Sequence, residues 1–234
     1  MNFKSVVKTK RNLYAMPGLA ASPEIFEFLK FDENINLICL SWIIPKNNEC
    51  ISDYALRMSK KIIHKNACIM GVSFGGILVQ EMSRFIKFEK IIIVSSVKSN
   101  KEFPMSMVLA KKTKVYKFFP VQWIKNVESL ASFSFGKIIK KRLDLYKKYL
   151  SVRNPVYLNW AINELINWDQ DSYLSNIIHI HGEKDNVFPI KYLKNIEIIK
   201  DANHAMILTK SNWFIKNIPL ILDDKYIFNL SNEL

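Results

Sequence analysis

A serine between glycines is the group in this 234-residue chain best suited to covalent chemistry. Residues 71–76 read Gly-Val-Ser-Phe-Gly-Gly, which places Ser73 in a Gly-x-Ser-x-Gly pattern. Residues 66–70 are a short apolar run that predicts a buried strand, and apolar residues recur at helical spacing over residues 74–86. Strand, sharp turn and helix with a serine at the turn predict a nucleophile elbow, which exposes the hydroxyl. The backbone amide of Phe74 would then face a developing oxyanion. The pattern alone also suits a glycine-rich turn that cradles a phosphate.

A nucleophilic serine needs a base within hydrogen-bond reach and a carboxylate that orients the base. On a parallel sheet, these groups come from loops at the same ends of the strands as the serine. The loop after an apolar run at residues 177–180 contains Asp185, and the loop after the next short strand contains His204. The chain therefore offers the missing groups in the order Ser, Asp, His.

Three other histidines compete with His204 for the role of base. His64 is expected at the end of a helix on the wrong side of the sheet. His179 lies inside a predicted strand, where a packed core histidine is the better interpretation. His181 lies at the strand end, where we expect a helper or structural role. His204 is preferred because it lies on a strand-exit loop that precedes a helix.

Asp185 is preferred among the carboxylates of the two loops. Glu183 is too close to the end of its strand to reach the base. Asp201 precedes His204 so closely that a role in stabilising the turn fits better. The loop after Ser95 has no early carboxylate that would serve instead.

Strand and helix patterns alternate around these loops and predict an α/β fold with a parallel sheet covered on both faces. Strands are expected at residues 12–15, 35–42, 66–70, 90–96, 177–180 and 197–199. Helices are expected from Pro23, from Ser52 to about Ile63, after Ser73, and over residues 212–222. In the helix after Ser73, the polar face is expected to hold Gln80, Glu81, Ser83 and Arg84.

The strand signals stop over residues 98–172, which we interpret as a helical insertion in a core of residues 1–97 and 173–234. Helical patterns cover residues 137–150 and 155–166. Aromatic side chains are frequent in this segment, and we expect most of them in the core. They are Phe118, Phe119, Trp123, Phe133, Phe135, Trp160 and Trp168.

The formal net charge is +13 and comes mostly from scattered lysines. We interpret it as a solvated surface, since the chain has no nucleic-acid-binding motif. Cys39, Cys50 and Cys68 have neither metal-ligand nor redox spacing, and Cys39 and Cys68 are expected to be reduced core residues. The first residues lack the apolar segment of a signal peptide, and no stretch is long enough to span a membrane. We therefore expect a cytoplasmic protein.

Taken together, the motifs resemble those of the α/β-hydrolase superfamily over nearly the whole chain. Residues 71–75 are similar to its elbow, residues 181–185 with Pro189 to its acid loop, and residues 203–204 to its histidine loop. The resemblance implies a three-layer α/β-hydrolase fold with a mostly parallel central sheet, in which residues 98–172 form a helical lid.

The resemblance also implies roles for individual residues: Ser73 as nucleophile, Asp185 as acid and His204 as base. The segment of residues 14–19 would supply a second oxyanion amide, that of Leu19, beside the amide of Phe74. The usual motif there begins His-Gly, whereas residues 16–19 read Met-Pro-Gly-Leu. The glycine remains and the donor is a backbone amide, so the oxyanion hole can survive this departure.

These residues predict a serine hydrolase that cleaves a carboxylic ester or thioester of a small-molecule acyl substrate through an acyl-enzyme. No metal or organic cofactor is expected, since the strand-exit loops offer no carboxylate cluster. No nucleic-acid partner is expected either. A lyase or an acyltransferase that uses the same site is the alternative. The sequence leaves the acyl group, the leaving group and the oligomeric state open.

Overall fold

The fold is built on one sheet of six strands, seen in a computed structural model that describes residues 10–118 and 147–229. The order across the sheet is β2-β1-β3-β4-β5-β6, and all five neighbouring pairs are parallel. The predicted parallel sheet is therefore confirmed. The strands are β1 (Arg11–Met16), β2 (Ile35–Cys39), β3 (Cys68–Val72), β4 (Ile91–Val94), β5 (Ile177–Gly182) and β6 (Glu197–Ile199).

Helices lie in the connections from β2 to β3, β3 to β4 and β4 to β5, whereas those from β1 to β2 and from β5 to β6 contain only 3₁₀ turns. In the described ranges the helices are α1 (Ile51–Ser59), α2 (Phe74–Met82), α3 (Met105–Thr113), α4 (Pro155–Asn167), α5 (Met206–Thr209) and α6 (Ser211–Leu222). Short 3₁₀ turns lie at Pro23–Phe26, Asn100–Glu102, Val115–Phe118 and Ile190–Tyr192. No helix within those ranges is long and apolar enough to cross a membrane.

The core lies on both faces of the central strands, since every residue of β3 and β4 is buried. Helix α2 is also buried over its whole length, so the expected polar face is wrong for Gln80 and Glu81. Just beyond the helix, Ser83 is half-buried and Arg84 is exposed. Gln80 donates from its side-chain amide to Gly76 O and Val97 O, at 3.0 and 2.9 Å. Glu81 accepts a hydrogen bond of 2.8 Å from Trp168 Nε1. These two polar side chains are buried because they have partners inside the protein.

Several element boundaries differ from those expected. Ser52 is expected to cap a helix that runs to about Ile63, whereas the observed N-cap lies two residues earlier, at Cys50, and the helix ends at Ser59. The helix expected from Pro23 is only a 3₁₀ turn. Cys39 ends the edge strand β2 and is exposed, so the prediction of a core residue was wrong for it, whereas Cys68 is buried.

The described parts of the predicted insertion, residues 98–118 and 147–172, contain helices and turns and no strand. The helix expected over residues 155–166 is observed as α4, and Asn154 caps it by accepting from Val156 N at 2.9 Å. Most of the helix expected over residues 137–150 lies outside the described residues. Trp168 is buried and Trp160 half-buried, whereas the side chains of Phe118, Phe119, Trp123, Phe133 and Phe135 lie outside the described part.

Candidate active site

The turn that carries Ser73 is strained and closely packed. Ser73 has φ 52° and ψ −121°, a backbone conformation that residues with a Cβ atom rarely adopt. A Cβ on Gly71 would lie 2.4 Å from Gly75 O, and a Cβ on Gly75 would lie 2.3 Å from Pro17 O. Only glycine fits these two positions, so strand β3, helix α2 and the loop after β1 approach one another closely.

The structure brings the three predicted site residues into one hydrogen-bonded chain. Ser73 Oγ lies 3.0 Å from His204 Nε2, and His204 Nδ1 lies 2.8 Å from Asp185 Oδ2. The carboxylate is buried and the imidazole nearly so, with 3% and 9% of their residue surfaces exposed. A base between a hydroxyl and a buried carboxylate is the arrangement that activates a nucleophilic serine.

The loops after β5 and β6 hold Asp185 and His204 beside each other through backbone contacts. Lys184 N donates to Ala202 O at 2.8 Å, and a Cβ on Gly182 would lie 2.5 Å from that same oxygen. Asn203 Oδ1 accepts from Ala205 N at 3.0 Å and so closes a turn around His204. The two loops therefore form one unit at the carboxyl edge of the sheet.

Asp185 is held by more than its contact with His204. Its Oδ1 atom accepts from Val187 N at 2.8 Å and from Phe188 N at 3.0 Å. Burial by itself would raise the pKa of this carboxyl group. The charge of His204 and the hydrogen bonds from His181 and His204 outweigh burial and hold the pKa of Asp185 well below its ordinary value. Asp185 therefore stays ionised at neutral pH.

The amides of Leu19 and Phe74 are both available for an oxyanion. Within the described residues, neither N–H donates a hydrogen bond to a backbone or side-chain acceptor. Leu19 and the neighbouring Gly18 line the same cavity as Ser73 and His204. The loop after β1 therefore borders the same cavity as Ser73.

Trp42 connects the two segments that carry these amides, and sequence reasoning missed this role. Its Nε1 atom donates to Gly18 O at 2.9 Å, and its ring stacks on Phe74 with 5.3 Å between centroids. The sequence predicted Trp42 as the last residue of a strand, but β2 ends at Cys39 and the chain then turns toward the site. No local signal shows that the strand ends at Cys39 and not at Trp42, because residues 35–42 are mostly apolar.

A cavity of about 90 Å³ opens at Ser73 and His204. Its wall is mainly apolar and comes from several loops and from the insertion. The lining includes Leu19, Ile25, Leu150, Leu165, Val187 and Leu208. The cavity suits an apolar group attached to the atom that Ser73 would attack.

The other candidates lie away from Ser73. His64 precedes β3, and its Nδ1 atom lies 2.6 Å from the hydroxyl of Tyr14. Asp201 is exposed and pairs with Lys184 at 2.5 Å, while its backbone N–H donates to Glu183. Both loop carboxylates therefore stabilise the turn region. His179 and His181 are buried in β5, and His181 contacts Asp185 from behind.

No protein-family model and no curated protein matches this sequence. Solved structures do match its fold. A putative lipase from Acinetobacter baumannii superposes with a TM-score of 0.69 at 17% identity, over 92% of this chain and 84% of that one. An esterase from Exiguobacterium antarcticum superposes with a TM-score of 0.68 at 14% identity, over 92% of both chains. A structure from work on carboxylesterases of the thaumarchaeon Nitrososphaera gargenis superposes with a TM-score of 0.67 at 14% identity. The match covers 94% of this chain and 93% of that one.

These likenesses extend over nearly the full length of the chain. At such low identity they bear on the fold and not on the reaction. The sheet is parallel, the strained turn with Ser73 lies at its carboxyl edge, and the matching structures are esterases and a putative lipase. The chain therefore has the α/β-hydrolase fold that its motifs predicted.

Proposed function

We propose that this protein is a serine hydrolase that cleaves a carboxylic ester or thioester through an acyl-enzyme. The observation that carries the proposal is the chain from Ser73 Oγ through His204 to the buried Asp185 carboxylate, with links of 3.0 and 2.8 Å. A buried carboxylate that stays ionised favours the imidazole tautomer with its proton on Nδ1. His204 Nε2 is then free to accept the proton of Ser73.

In the proposed reaction, Ser73 Oγ attacks the carbonyl carbon and its proton passes to His204 Nε2. The N–H groups of Leu19 and Phe74 donate to the oxyanion of the tetrahedral intermediate, which is commonly the largest single contribution to catalysis. Collapse breaks the bond to the alkoxide or thiolate, which takes the proton from His204. A water molecule deprotonated by His204 then attacks the acyl-enzyme, releases the carboxylic acid and restores Ser73.

Two observations favour an acyl substrate over a phosphate or a sugar. The cavity at Ser73 has a mainly apolar wall, which suits an acyl chain. A retaining glycosidase needs two facing carboxylates, whereas Asp185 has its oxygens directed to His204 and to backbone amides. Neighbours of the same fold include a carboxylesterase structure and an esterase, which agrees with this substrate class.

The proposal is tested by burst kinetics with p-nitrophenyl acetate and butyrate, beside labelling with a fluorophosphonate. We expect one label per chain, at Ser73, and a burst of nitrophenol that disappears in Ser73→Ala. The matched control is Ser83→Ala, a change at the end of α2 outside the cavity, which should label and turn over as the native protein does.

Labelling of Ser73→Ala at the native level would contradict the assignment of the nucleophile. Native protein that takes up the fluorophosphonate but neither bursts nor turns over any member of a broad ester and thioester panel would contradict hydrolysis. That second result would favour a lyase at the same site.

A further inference from the structure

A second imidazole contacts the Asp185 carboxylate from the side opposite His204. His181 Nε2 lies 3.2 Å from Asp185 Oδ2, the same oxygen that accepts from His204. The Nε2–H group of His181 is shared between two acceptors, Phe188 O at 2.8 Å and the more distant carboxylate oxygen of Asp185. His181 is fully buried, so water does not screen the interaction.

The neighbours of His181 fix where its proton lies. Both oxygens near Nε2 accept hydrogen bonds and have nothing to donate, so Nε2 carries the proton. His179 Nε2 lies 3.1 Å from His181 Nδ1 on the other side of the ring. Burial above all holds the pKa of His179 well below its ordinary value, so this ring is neutral. Because a neutral His181 with its proton on Nε2 can only accept at Nδ1, His179 Nε2 is the donor of this bond.

The hydrogen bond to Phe188 O matters because Phe188 also contacts the carboxylate. The amide of Phe188 donates to Asp185 Oδ1 at 3.0 Å, while its carbonyl accepts from His181. The turn from Asp185 to Phe188 is thus attached to strand β5 through an imidazole. Strand β5 is buried from His179 onward and paired on both sides, so it is a rigid support.

We propose that His181 is a positioning residue for the Asp185–His204 pair. It fixes the 185–188 turn through Phe188 O and holds its Nε2–H beside Asp185 Oδ2, and these two acceptor oxygens by themselves keep the proton on Nε2. The inference rests on the proposed function, since it assigns His181 a part in the work of the same site.

Removing the Nε2–H should change how the carboxylate acts on His204. The ionisable groups in and around this cluster are His204, His181, His179 and, next to His179, Lys98. Without the donor on its far side, the Asp185 carboxylate becomes more basic and stabilises protonated His204 more strongly. The acid limb of the pH profile of kcat/KM then moves to higher pH, because the base is free only above it.

The test compares two amides that differ in reach. A glutamine at position 181 brings its amide nitrogen to the position of Nε2, whereas an asparagine reaches only that of Nδ1. We expect His181→Gln to keep kcat within about threefold of the native value and to keep the native acid limb. We expect His181→Asn to lower kcat by about tenfold at little changed KM and to move the acid limb upward by about half a pH unit.

His179→Leu is the matched control, because it changes an equally buried imidazole of the same strand that does not contact Asp185. It should lower the thermal midpoint while moving the acid limb less than His181→Asn does. A His181→Asn protein that folds with a native pH profile overturns the proposal, and so does a shift of equal size in His179→Leu. Failure of His181→Asn to fold would mean that His181 serves the fold alone, and overturns it as well.

Rates of fluorophosphonate labelling separate this inference from the proposed function. If native protein labels at Ser73 but hydrolyses no ester, the proposed function fails while the positioning role is still measured. The positioning role is then supported if His181→Asn labels more slowly, with a shifted pH dependence, and His181→Gln labels as the native protein does. Equal labelling rates in all three proteins overturn the positioning role. If esters are hydrolysed and both variants behave as native, the positioning role alone fails.

Discussion

At the scale of residues, the site depends on a carboxylate with no free oxygen. Asp185 Oδ1 accepts from two backbone amides, and Oδ2 faces His204 on one side and His181 on the other. Such a group is fixed in orientation as well as in charge. Its proposed part in turnover and its contribution to folding can be measured separately.

Asp185→Asn is expected to lower turnover by about 10³–10⁴-fold, since an amide no longer selects the imidazole tautomer that accepts the serine proton. The measurement is kcat for p-nitrophenyl butyrate, with the amount of folded protein established by circular dichroism. Asp201→Asn is the control, because that carboxylate is exposed and pairs with Lys184. If Asp201→Asn keeps native stability but loses more turnover than Asp185→Asn, then Asp201 and not Asp185 is the acid.

The same carboxylate should make folding stability dependent on pH. Its folded-state pKa is depressed, so its contribution is fully present above the unfolded pKa of about 3.9 and is lost as pH falls toward the folded pKa. We expect the free energy of unfolding of native protein minus that of Asp185→Asn to be largest above about pH 5 and to shrink below about pH 4. Urea titrations over that range measure it, and a difference that does not vary with pH would contradict the depressed pKa.

At the scale of elements, the buried polar side of α2 contacts the segment of residues 98–172 that the sequence predicts to be an insertion. Trp168 donates to Glu81, and the side-chain amide of Gln170 contacts both Gln80 Oε1 at 3.1 Å and Lys98 O at 2.8 Å. Helix α4 ends one residue before Trp168, and its Leu165 lines the cavity at Ser73. The contacts of α2 with the insertion therefore also set one wall of the proposed site.

Trp168→Phe should destabilise the protein by about 1–3 kcal/mol, because it leaves a buried carboxylate oxygen without its donor. Glu81→Gln in the same background should recover part of the loss, since an amide oxygen without a donor is less costly to bury than a carboxylate oxygen. The recovery is partial because the carboxylate also pairs with Arg84 at 3.2 Å, which the amide gives up. Urea unfolding of the two single variants and the double variant gives the coupling between the two sites. Additive losses would show that the hydrogen bond contributes nothing of its own.

The sequence predicted the parallel sheet and the order of its loops because these depend on local patterns. Ser73, Asp185 and His204 follow from strand ends and turn residues that are close to them along the chain. The burial of Glu81 could not be predicted, since its partner Trp168 is 87 residues away and neither residue has a local signal of the contact. The contact of Trp42 with Gly18, 24 residues away, is of the same kind.

At the scale of the whole molecule, a formal net charge of +13 acts on the compact state as a mutual repulsion. Salt screens this repulsion over a Debye length of about 10 Å at 0.1 M. The thermal midpoint is therefore expected to rise when sodium chloride is raised from about 10 mM to about 150 mM. Differential scanning fluorimetry measures the midpoint, with a neutral osmolyte of equal osmolality as the control, and a midpoint that falls with salt would mean that local ion pairs outweigh the repulsion.

The left-handed backbone at Ser73 has a consequence for experiments that select variants. A residue with a Cβ at φ 52° and ψ −121° costs about 1–3 kcal/mol, and glycine adopts this conformation without that cost. Ser73→Gly is therefore expected to unfold at a higher temperature than Ser73→Ala, which keeps the Cβ and loses the same hydroxyl. Equal midpoints would contradict the strain. Both variants are without the proposed nucleophile, so a laboratory screen that rewards thermal stability alone would enrich inactive glycine variants. Any such screen of this chain needs turnover as a second criterion.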